Sequence, residues 1–160
     1  ASTGALGHGL PIGVGMAIAA KIQKRKNLIY VLVGDGEMNE GSIWEAALSA
    51  SKHKLDNLTL IIDYNKIQSY GFLNEVVDIE PLKKKLEGFG FFVDEINGHD
   101  IDMIKLSLKN NFKQFNQPKA IICHTIKGKG IIFAENNPNW HHKSQLTKKE
   151  IKEMYDSINL

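Results

Sequence analysis

The stretch LIYVLVGDGEMNEGSIWEAALSASKHKLDNLTLIIDYNKI, residues 28–67, decides the fold of this chain. Two apolar runs rich in β-branched residues, Leu28–Val33 and Leu58–Ile62, predict strands, and between them Ser42–Lys54 carries apolar residues at helical spacing. A strand–helix–strand unit favours parallel strands, because the helical crossover returns the chain to the same edge of the sheet. The turns that follow the two strands therefore lie at one edge, where open α/β sheets bind ligands.

These two turns carry oxygen ligands of the kind that magnesium prefers. Asp35 offers a carboxylate, Asn65 offers an amide oxygen, and the main-chain carbonyl of Ile67 offers a third donor. Magnesium takes few oxygens from a protein and completes an octahedral shell with phosphate oxygens and water. Gly34 and Gly36 let the main chain approach a bulky anion, as larger residues would not. The pattern therefore predicts a diphosphate held through a divalent cation.

The spaced Gly-Asp-Gly and Asn, together with four flanking blocks in the same order, resemble the transketolase family. The blocks are STGALGHGLPIGVGMA at 2–17, GDGEMNEGSIWEAALSASKHKLDNL at 34–58, HTIKGKG at 124–130 and WHHK at 140–143. The resemblance is to the N-terminal, diphosphate-binding domain and covers nearly the whole chain. It implies a three-layer α/β/α fold with a mainly parallel sheet.

The resemblance also implies the cofactors and the reaction. Thiamine diphosphate and Mg²⁺ are the expected cofactors, and the full enzyme is expected to move a two-carbon ketol unit between sugar phosphates in the pentose phosphate pathway. The cofactor supplies the carbon–carbon bond chemistry, and the protein supplies position and electrostatics. The implied metal ligands are Asp35, Asn65 and Ile67; the implied cofactor-binding residues are these three with Gly4, Leu6, Gly34 and Gly36.

Two residues have implied catalytic roles. His141 matches the family position that faces the diphosphate and the reacting sugar oxygen, and an imidazole both donates and accepts a proton near neutral pH. The alternative is a surface loop in which Trp140 packs and both His141 and His142 are solvated. Glu40 matches a family carboxylate near the cofactor and the subunit interface. Its alternative role is that of an acid favoured by the dipole at a helix N-terminus.

The resemblance implies a site that this chain does not complete. The family carboxylate that activates the aminopyrimidine lies in another domain, usually of a partner subunit, and no residue here matches it. We therefore expect a pyrimidine-binding domain or C-terminal subunit as a partner, in a homodimer or a heterotetramer. The apolar run Leu10–Ala20 is expected to form a helix at a subunit interface. Because Ala1 opens directly into a motif, we expect this sequence to be part of a longer protein.

Composition narrows the class of protein. A chain of 160 residues with 42% hydrophobic and 24% charged residues suits a single globular domain over residues 1–160. A net charge of +2, from 20 basic and 18 acidic residues mixed along the chain, does not indicate a nucleic-acid binder. The single cysteine, Cys123, falls in an apolar run and allows no disulfide framework, which fits a reducing, cytoplasmic compartment. No run of 18 apolar residues occurs, so we expect no membrane association.

Three alternative functions stay open at this point. The first is another thiamine enzyme, either 1-deoxyxylulose-5-phosphate synthase or a 2-oxo acid dehydrogenase component; the block GEMNEGSIWEA favours transketolase over both. The second is a dinucleotide-binding module, but Gly34-Asp35-Gly36 is followed by Asn39 where the G-x-G-x-x-G pattern needs glycine. The third is a non-catalytic interaction domain.

The remaining segments predict further helices and strands. Asp100 and Thr147 are candidate helix caps, the segment 66–71 is predicted to be a loop, and His99 is expected to make a local hydrogen bond. The final helix is expected to turn Ile151, Met154 and Tyr155 inward. The predicted helices are Pro81–Leu86, Ile101–Phe112 and the segment from Thr147 to Tyr155, and the predicted strands are Phe91–Ile96 and Lys119–Thr125.

Overall fold

A computed structural model of the chain describes residues 4–109 and 116–158. Its main sheet has four strands, all parallel: β1 (Ile29–Gly34), β2 (Leu58–Tyr64), β5 (Phe92–Asn97) and β6 (Lys119–His124), in the spatial order β1-β2-β6-β5. A small antiparallel hairpin of β3 (Ile67–Gln68) and β4 (Gly71–Phe72) follows β2. The predicted parallel sheet is confirmed.

The described helices are α1 (Gly9–Ile22), α2 (Gly41–Lys52), α3 (Leu73–Val76), α4 (Leu82–Gly88), α5 (Ile101–Lys109) and α6 (Lys148–Ile158). Two short 3₁₀ helices cover Gly36–Asn39 and Pro138–Trp140. Each predicted helix is present with its ends moved by a few residues. The predicted extension of α5 to Phe112 lies outside the described residues.

The helices cover the sheet from two sides, which gives the three-layer α/β/α arrangement. The larger core packs α1, α2 and α4 against one face of the sheet, with Leu10, Ile43 and Leu86 fully buried. The smaller core packs Ile104 and Leu108 of α5 against the other face. The helix α2 packs mainly against α1, and it contributes Ile43, Ala46, Ala47 and Ala50 to this core.

The register of the strands brings the two predicted ligand turns together. Gly34 at the end of β1 pairs with Asp63 of β2, and Tyr64 pairs with His124 at the end of β6. All four strands therefore end at the same edge of the sheet. The turns after β1 and β2 are neighbours there, as the strand–helix–strand pattern predicted.

Two expectations about local structure are wrong. The segment after Asn65 is not an open loop, because Ile67 pairs with Phe72 and Gln68 pairs with Gly71 in the β3–β4 hairpin. The apolar side of α6 does not face the main core: Ile151 is 41% exposed and Tyr155 is 66% exposed. Leu146, Ile151, Met154 and Tyr155 instead line an open cleft of about 320 Å³. The amphipathic pattern correctly predicted that α6 is a helix, but it did not predict which surface covers the apolar side of α6.

Two other expectations concern surfaces. Cys123 is a buried residue of β6, as predicted. The predicted apolar helix at Leu10–Ala20 forms α1, but only one side of it is buried, and Ile12 (43% exposed) and Met16 (49% exposed) face outward. In the described part of the chain, no helix combines the length and the apolar character needed to cross a bilayer.

Candidate functional site

Asp35 connects the turn after β1 to the turn after β2. Its side chain is 2% exposed. One carboxylate oxygen accepts a hydrogen bond from the amide of Gly36 at 2.7 Å, and the other accepts one from the amide of Lys66. A single acidic side chain therefore fixes the relative position of the two turns.

The surroundings of Asp35 suit a positive ligand. Burial raises the pKa of this carboxyl above its ordinary value and Asp63 raises it further, while the amides of Lys66 and Gly36 and the ammonium of Lys127 act in the opposite direction. Burial disfavours the charged form of a carboxyl unless a positive group compensates it. A divalent cation at this edge would supply that compensation.

Asn65 and Ile67 lie beside Asp35 in the turn after β2. The side-chain oxygen of Asn65 accepts a hydrogen bond from the amide of Ile67 at 3.1 Å, and Ile67 is 2% exposed. Within residues 4–109 and 116–158, no three His, Cys, Asp or Glu side chains are grouped to hold a metal ion. A carboxylate, an amide oxygen and a main-chain carbonyl are nevertheless hard oxygen donors that fit magnesium with phosphate oxygens.

Gly34 and Gly36 differ in what surrounds them. A Cβ added to Gly34 would meet nothing within 4 Å, so the main chain is open to a ligand there. A Cβ added to Gly36 would lie 2.9 Å from the Cβ of Gln68. The main chain at Gly34 therefore borders open space, whereas Gly36 makes room for a side chain of this protein.

His141 lies next to the hairpin that follows Asn65. Its Nε2 is 3.5 Å from the hydroxyl oxygen of Ser69, and the Nε2 of His142 is 2.9 Å from the same oxygen. The two imidazole rings meet edge to face, with centroids 4.4 Å apart. The loop is held by Trp140, whose ring packs against Phe133 at 5.0 Å. The structure thus brings His141 to the edge of the sheet that carries Asp35 and Asn65.

The imidazole of His141 has two properties of a ligand-facing group. Its Nδ1 is buried and has no hydrogen-bond partner among the described residues. Its pKa is lowered, first by burial and then by the positive charge of Lys127 and by His142. A buried nitrogen without a partner is rare in folded proteins, and an ordered water or a bound ligand would supply the missing hydrogen bond.

The N-terminal loop is anchored beside the same edge by residues that the sequence did not single out. The amide of Gly7 donates to the carboxylate of Glu37 at 2.9 Å, and the hydroxyl of Ser42 donates to the carbonyl of Gly7 at 2.8 Å. Gly7 has a φ of +81°, a left-handed conformation that favours glycine. Gly4 and Leu6 are exposed on this loop. The one sequence feature that could have identified Glu37 is its position, since it is an acidic residue two positions after Asp35.

Glu40 stands at the N-terminus of α2 with an exposed side chain. Its main chain begins the helix, since the Glu40 carbonyl accepts the amide of Ile43 at 3.1 Å, but its carboxylate makes no capping hydrogen bond. The side chain is therefore not used to cap the helix, and it is available to face a partner.

The loop after β6 is fixed by one long-range and one local hydrogen bond. Nε2 of His99 accepts the amide of Ile126 at 2.8 Å, and the carboxylate of Glu135 accepts the amide of Gly130 at 3.0 Å. The expected local hydrogen bond of His99 is thus a bond to a residue 27 positions away. Between these anchors lies Lys127, whose charge acts on both Asp35 and His141.

Comparison with known proteins gives the family. The model of the transketolase thiamine diphosphate-binding domain matches residues 1–159. The chain belongs to this family. The resemblance drawn from the sequence blocks is therefore confirmed, and so is the predicted fold.

Several transketolases and transketolase subunits are similar to the chain. An apulose-4-phosphate transketolase subunit from Actinobacillus succinogenes is 51% identical over 142 residues, which are 89% of this chain and 51% of that protein. A 6-deoxy-6-sulfo-D-fructose transketolase subunit from a Clostridium species is 41% identical, again over 51% of its length. Human transketolase is 38% identical over 98% of this chain and 25% of its own. The chain thus spans about half the length of the transketolase subunits that it matches.

Solved transketolase structures share the fold. The Campylobacter jejuni transketolase superposes with a TM-score of 0.89 at 35% identity, over 99% of this chain and 26% of its own. A Pichia stipitis transketolase solved with sedoheptulose-7-phosphate also gives a TM-score of 0.89, at 27% identity over 99% of this chain and 25% of its own. The sheet, its edge and the turns described above are therefore those of a transketolase domain.

Proposed function

We propose that this chain is the diphosphate- and magnesium-binding part of a transketolase that transfers a two-carbon ketol unit between sugar phosphates. The observation that carries the proposal is the junction at Asp35, whose buried carboxylate joins the two turns that supply the candidate metal ligands. Asp35, Asn65 and the carbonyl of Ile67 hold Mg²⁺, and the open main chain at Gly34 admits the diphosphate.

The chain's other residues support binding and proton transfer. Lys127 places a positive charge near Asp35 and His141, where a diphosphate and a phosphorylated sugar carry negative charge. His141 exchanges a proton with the substrate oxygen, because its lowered pKa keeps the imidazole neutral at neutral pH and able to accept that proton. Gly4 and Leu6 line the cofactor from the N-terminal loop.

The rest of the site comes from a partner. Glu40 projects a carboxylate that does not cap α2, and α1 presents Ile12 and Met16 outward. These features support a pyrimidine-binding domain or C-terminal subunit as the partner, in a homodimer or heterotetramer.

Two of the relatives are named for different sugars, apulose-4-phosphate and 6-deoxy-6-sulfo-D-fructose. The buried, free cysteine fits a reducing, cytoplasmic compartment.

Replacement of Asp35 tests the proposal. In the assembled enzyme, Asp35→Ala should abolish magnesium-dependent binding of thiamine diphosphate, because the phosphate charge loses its cation. Asn65→Ala removes only a neutral oxygen and should weaken binding less, by about 10- to 100-fold. Titration calorimetry with thiamine diphosphate, with and without Mg²⁺, measures both effects.

A matched control separates the metal site from general damage. Asp56 is an acid that pairs with Lys21 at 2.7 Å and precedes β2, at the opposite end of the strand. Asp56→Ala should leave cofactor affinity unchanged. Unchanged affinity in Asp35→Ala would overturn the metal assignment. Turnover of pyruvate in place of sugar phosphates would favour the other thiamine enzymes.

A further inference from the structure

The side chain of Gln68 has a polar group without a partner at the candidate cofactor edge. Gln68 is the second residue of β3 and directly follows Ile67. Its side-chain nitrogen Nε2 is buried and has no hydrogen-bond partner within the described residues. A buried amide that donates to nothing destabilises a folded protein, so its position calls for an acceptor from a bound molecule.

Gln68 lies directly over the turn that holds Asp35. A Cβ built on Gly36 would be 2.9 Å from the Cβ of Gln68, 3.6 Å from its Oε1 and 3.8 Å from its Cδ. Only a glycine leaves room for this packing. The amide of Gly36 in turn donates to the Asp35 carboxylate at 2.7 Å. Gly36 therefore lies between Gln68 and Asp35, one candidate metal ligand. Gln68 also directly follows Ile67, another candidate ligand, in the chain.

The geometry points to Gln68 as a cofactor-binding residue whose side-chain amide donates a hydrogen bond to an oxygen of the diphosphate. This inference rests on the proposed function, because it needs a diphosphate at the edge formed by Asp35 and Asn65. Gln68 adds a donor without adding a charge, so it strengthens binding without changing the balance between the acid, the cation and the phosphate. No part of the sequence pattern singled it out.

The neighbouring contacts favour the diphosphate over the sugar as the acceptor. Gln68 packs on the Gly36 turn, on the side of the hairpin that joins the two ligand turns. The adjacent residue Ser69 contacts His141 and His142 instead. Two successive residues of the hairpin thus have different neighbours: Gln68 faces the turn that holds Asp35, and Ser69 contacts the two histidines.

Two substitutions at Gln68 test the inference in the assembled enzyme. Gln68→Ala should weaken thiamine diphosphate binding in the presence of Mg²⁺ by about 10- to 100-fold, the usual effect of losing one hydrogen bond to a charged group. Gln68→Glu is nearly the same size and keeps the packing on Gly36, but it replaces the donor with an anion. It should weaken binding more than Gln68→Ala does.

Calorimetry gives the affinity, and the melting temperature without cofactor reports any structural damage. Gln145, an exposed glutamine beyond the histidine loop, is the matched control, and Gln145→Ala should bind like the unchanged enzyme. The Michaelis constant for the sugar phosphate donor is measured with saturating cofactor. We expect it to stay within about twofold in Gln68→Ala, because the lost contact is to the cofactor.

Each result decides the matter. If the unchanged enzyme binds no thiamine diphosphate, the proposed function itself fails. If it binds and both Gln68 variants bind equally well, Gln68 is not a cofactor ligand. If cofactor affinity is unchanged while the Michaelis constant for the sugar phosphate rises, the acceptor is the substrate, and the assignment to the diphosphate is wrong. Equal weakening in Gln68→Ala and Gln68→Glu with a lowered melting temperature would show a packing role only.

Discussion

The imidazole of His141 is placed in surroundings that favour its neutral form. Burial is the main cause of its lowered pKa, and the positive Lys127 adds to the effect. The ordinary value is 6.5, so the neutral ring persists to a more acid pH than for an exposed histidine. His142 is exposed and forms the shorter contact with Ser69. The two adjacent rings therefore have different roles to test.

We predict that His141→Ala in the assembled enzyme lowers turnover by about 10²–10⁴, the usual contribution of a positioned acid–base group. Affinity for thiamine diphosphate should fall much less than in Asp35→Ala, because the metal ligands remain. Steady-state rates over a pH series provide the measurement. The acid limb of the unchanged enzyme should lie below pH 6.5, since the pKa of His141 is lowered from that value.

His142→Ala is the control for this prediction. It removes the 2.9 Å contact with Ser69 but leaves His141 in place, so its effect on turnover should be much smaller. Full activity in His141→Ala with lost activity in His142→Ala would show that the assignment is wrong by one residue. Full activity in both would show that the loop serves packing alone.

At the scale of secondary-structure elements, a buried charge cluster connects α5, β5 and β6. Lys119 at the start of β6 is 2% exposed, and its ammonium lies 2.6 Å from the carboxylate of Asp94. The same ammonium donates to the carbonyl of Ser107 at 2.7 Å, and the hydroxyl of Ser107 donates to Asp94 at 2.6 Å. Three elements are thus joined at one point, on the face of the sheet that α5 covers.

We predict that Asp94→Ala destabilises the chain by about 3–5 kcal/mol, because it leaves the Lys119 ammonium buried without its counter-ion. Urea unfolding measures the loss. Asp102→Ala is the control: its pair with Lys105 is exposed, with a distance of 3.2 Å, and exposed pairs contribute about 0–1 kcal/mol. An equally small effect at both positions would mean that the Ser107 carbonyl alone satisfies Lys119.

The elements show what sequence patterns predict well. The strands β1 and β2 and the helix α2 could be predicted because their apolar residues face one core, and this produces regular spacing in the sequence. Asp100 was predicted as a cap, and its carboxylate accepts the amides of Asp102 at 2.9 Å and Met103 at 3.0 Å. The capping pair of Thr147 and Glu150 likewise forms. Local chemistry of this kind depends on residues a few positions apart.

Contacts between distant segments were not predictable in the same way. The hairpin at Ile67 depends on its pairing with Phe72, and neither residue alone signals it. Glu37 entered the site because its carboxylate accepts the amide of Gly7, and Gln68 because Gly36 leaves space for it; no spacing rule reveals either contact. The exposed side of α6 was misassigned because an apolar stripe predicts burial but not the identity of the covering surface.

At the scale of the whole molecule, one apolar region of the surface stands out beside β1. Ile12 and Met16 of α1 are exposed, and so are Tyr30 (47%) and Leu32 (70%) of β1, which is an edge strand of the sheet. A cleft of about 580 Å³ runs between α1 and β1. An edge strand next to exposed apolar side chains favours association, because both backbone groups and apolar side chains gain partners.

We predict that this chain on its own self-associates or binds a partner domain through Leu10–Ala20, and that it shows no ketol transfer alone. Sedimentation velocity at several concentrations, with Ile12→Glu compared against Ile101→Glu on α5, provides the measurement. A strict monomer that binds no apolar dye would contradict the first part. Measurable turnover of a sugar phosphate pair by this chain alone would contradict the second.

The strand–helix–strand unit at the centre of the domain has a consequence for gene architecture. The proposed cation ligands all come from residues 35–67, in the turns that follow β1 and β2. A gene boundary placed anywhere outside this unit leaves the cation site within one polypeptide. An enzyme of this kind can therefore be encoded in one open reading frame or in two, and the residues proposed to bind the cation stay on one polypeptide in either case.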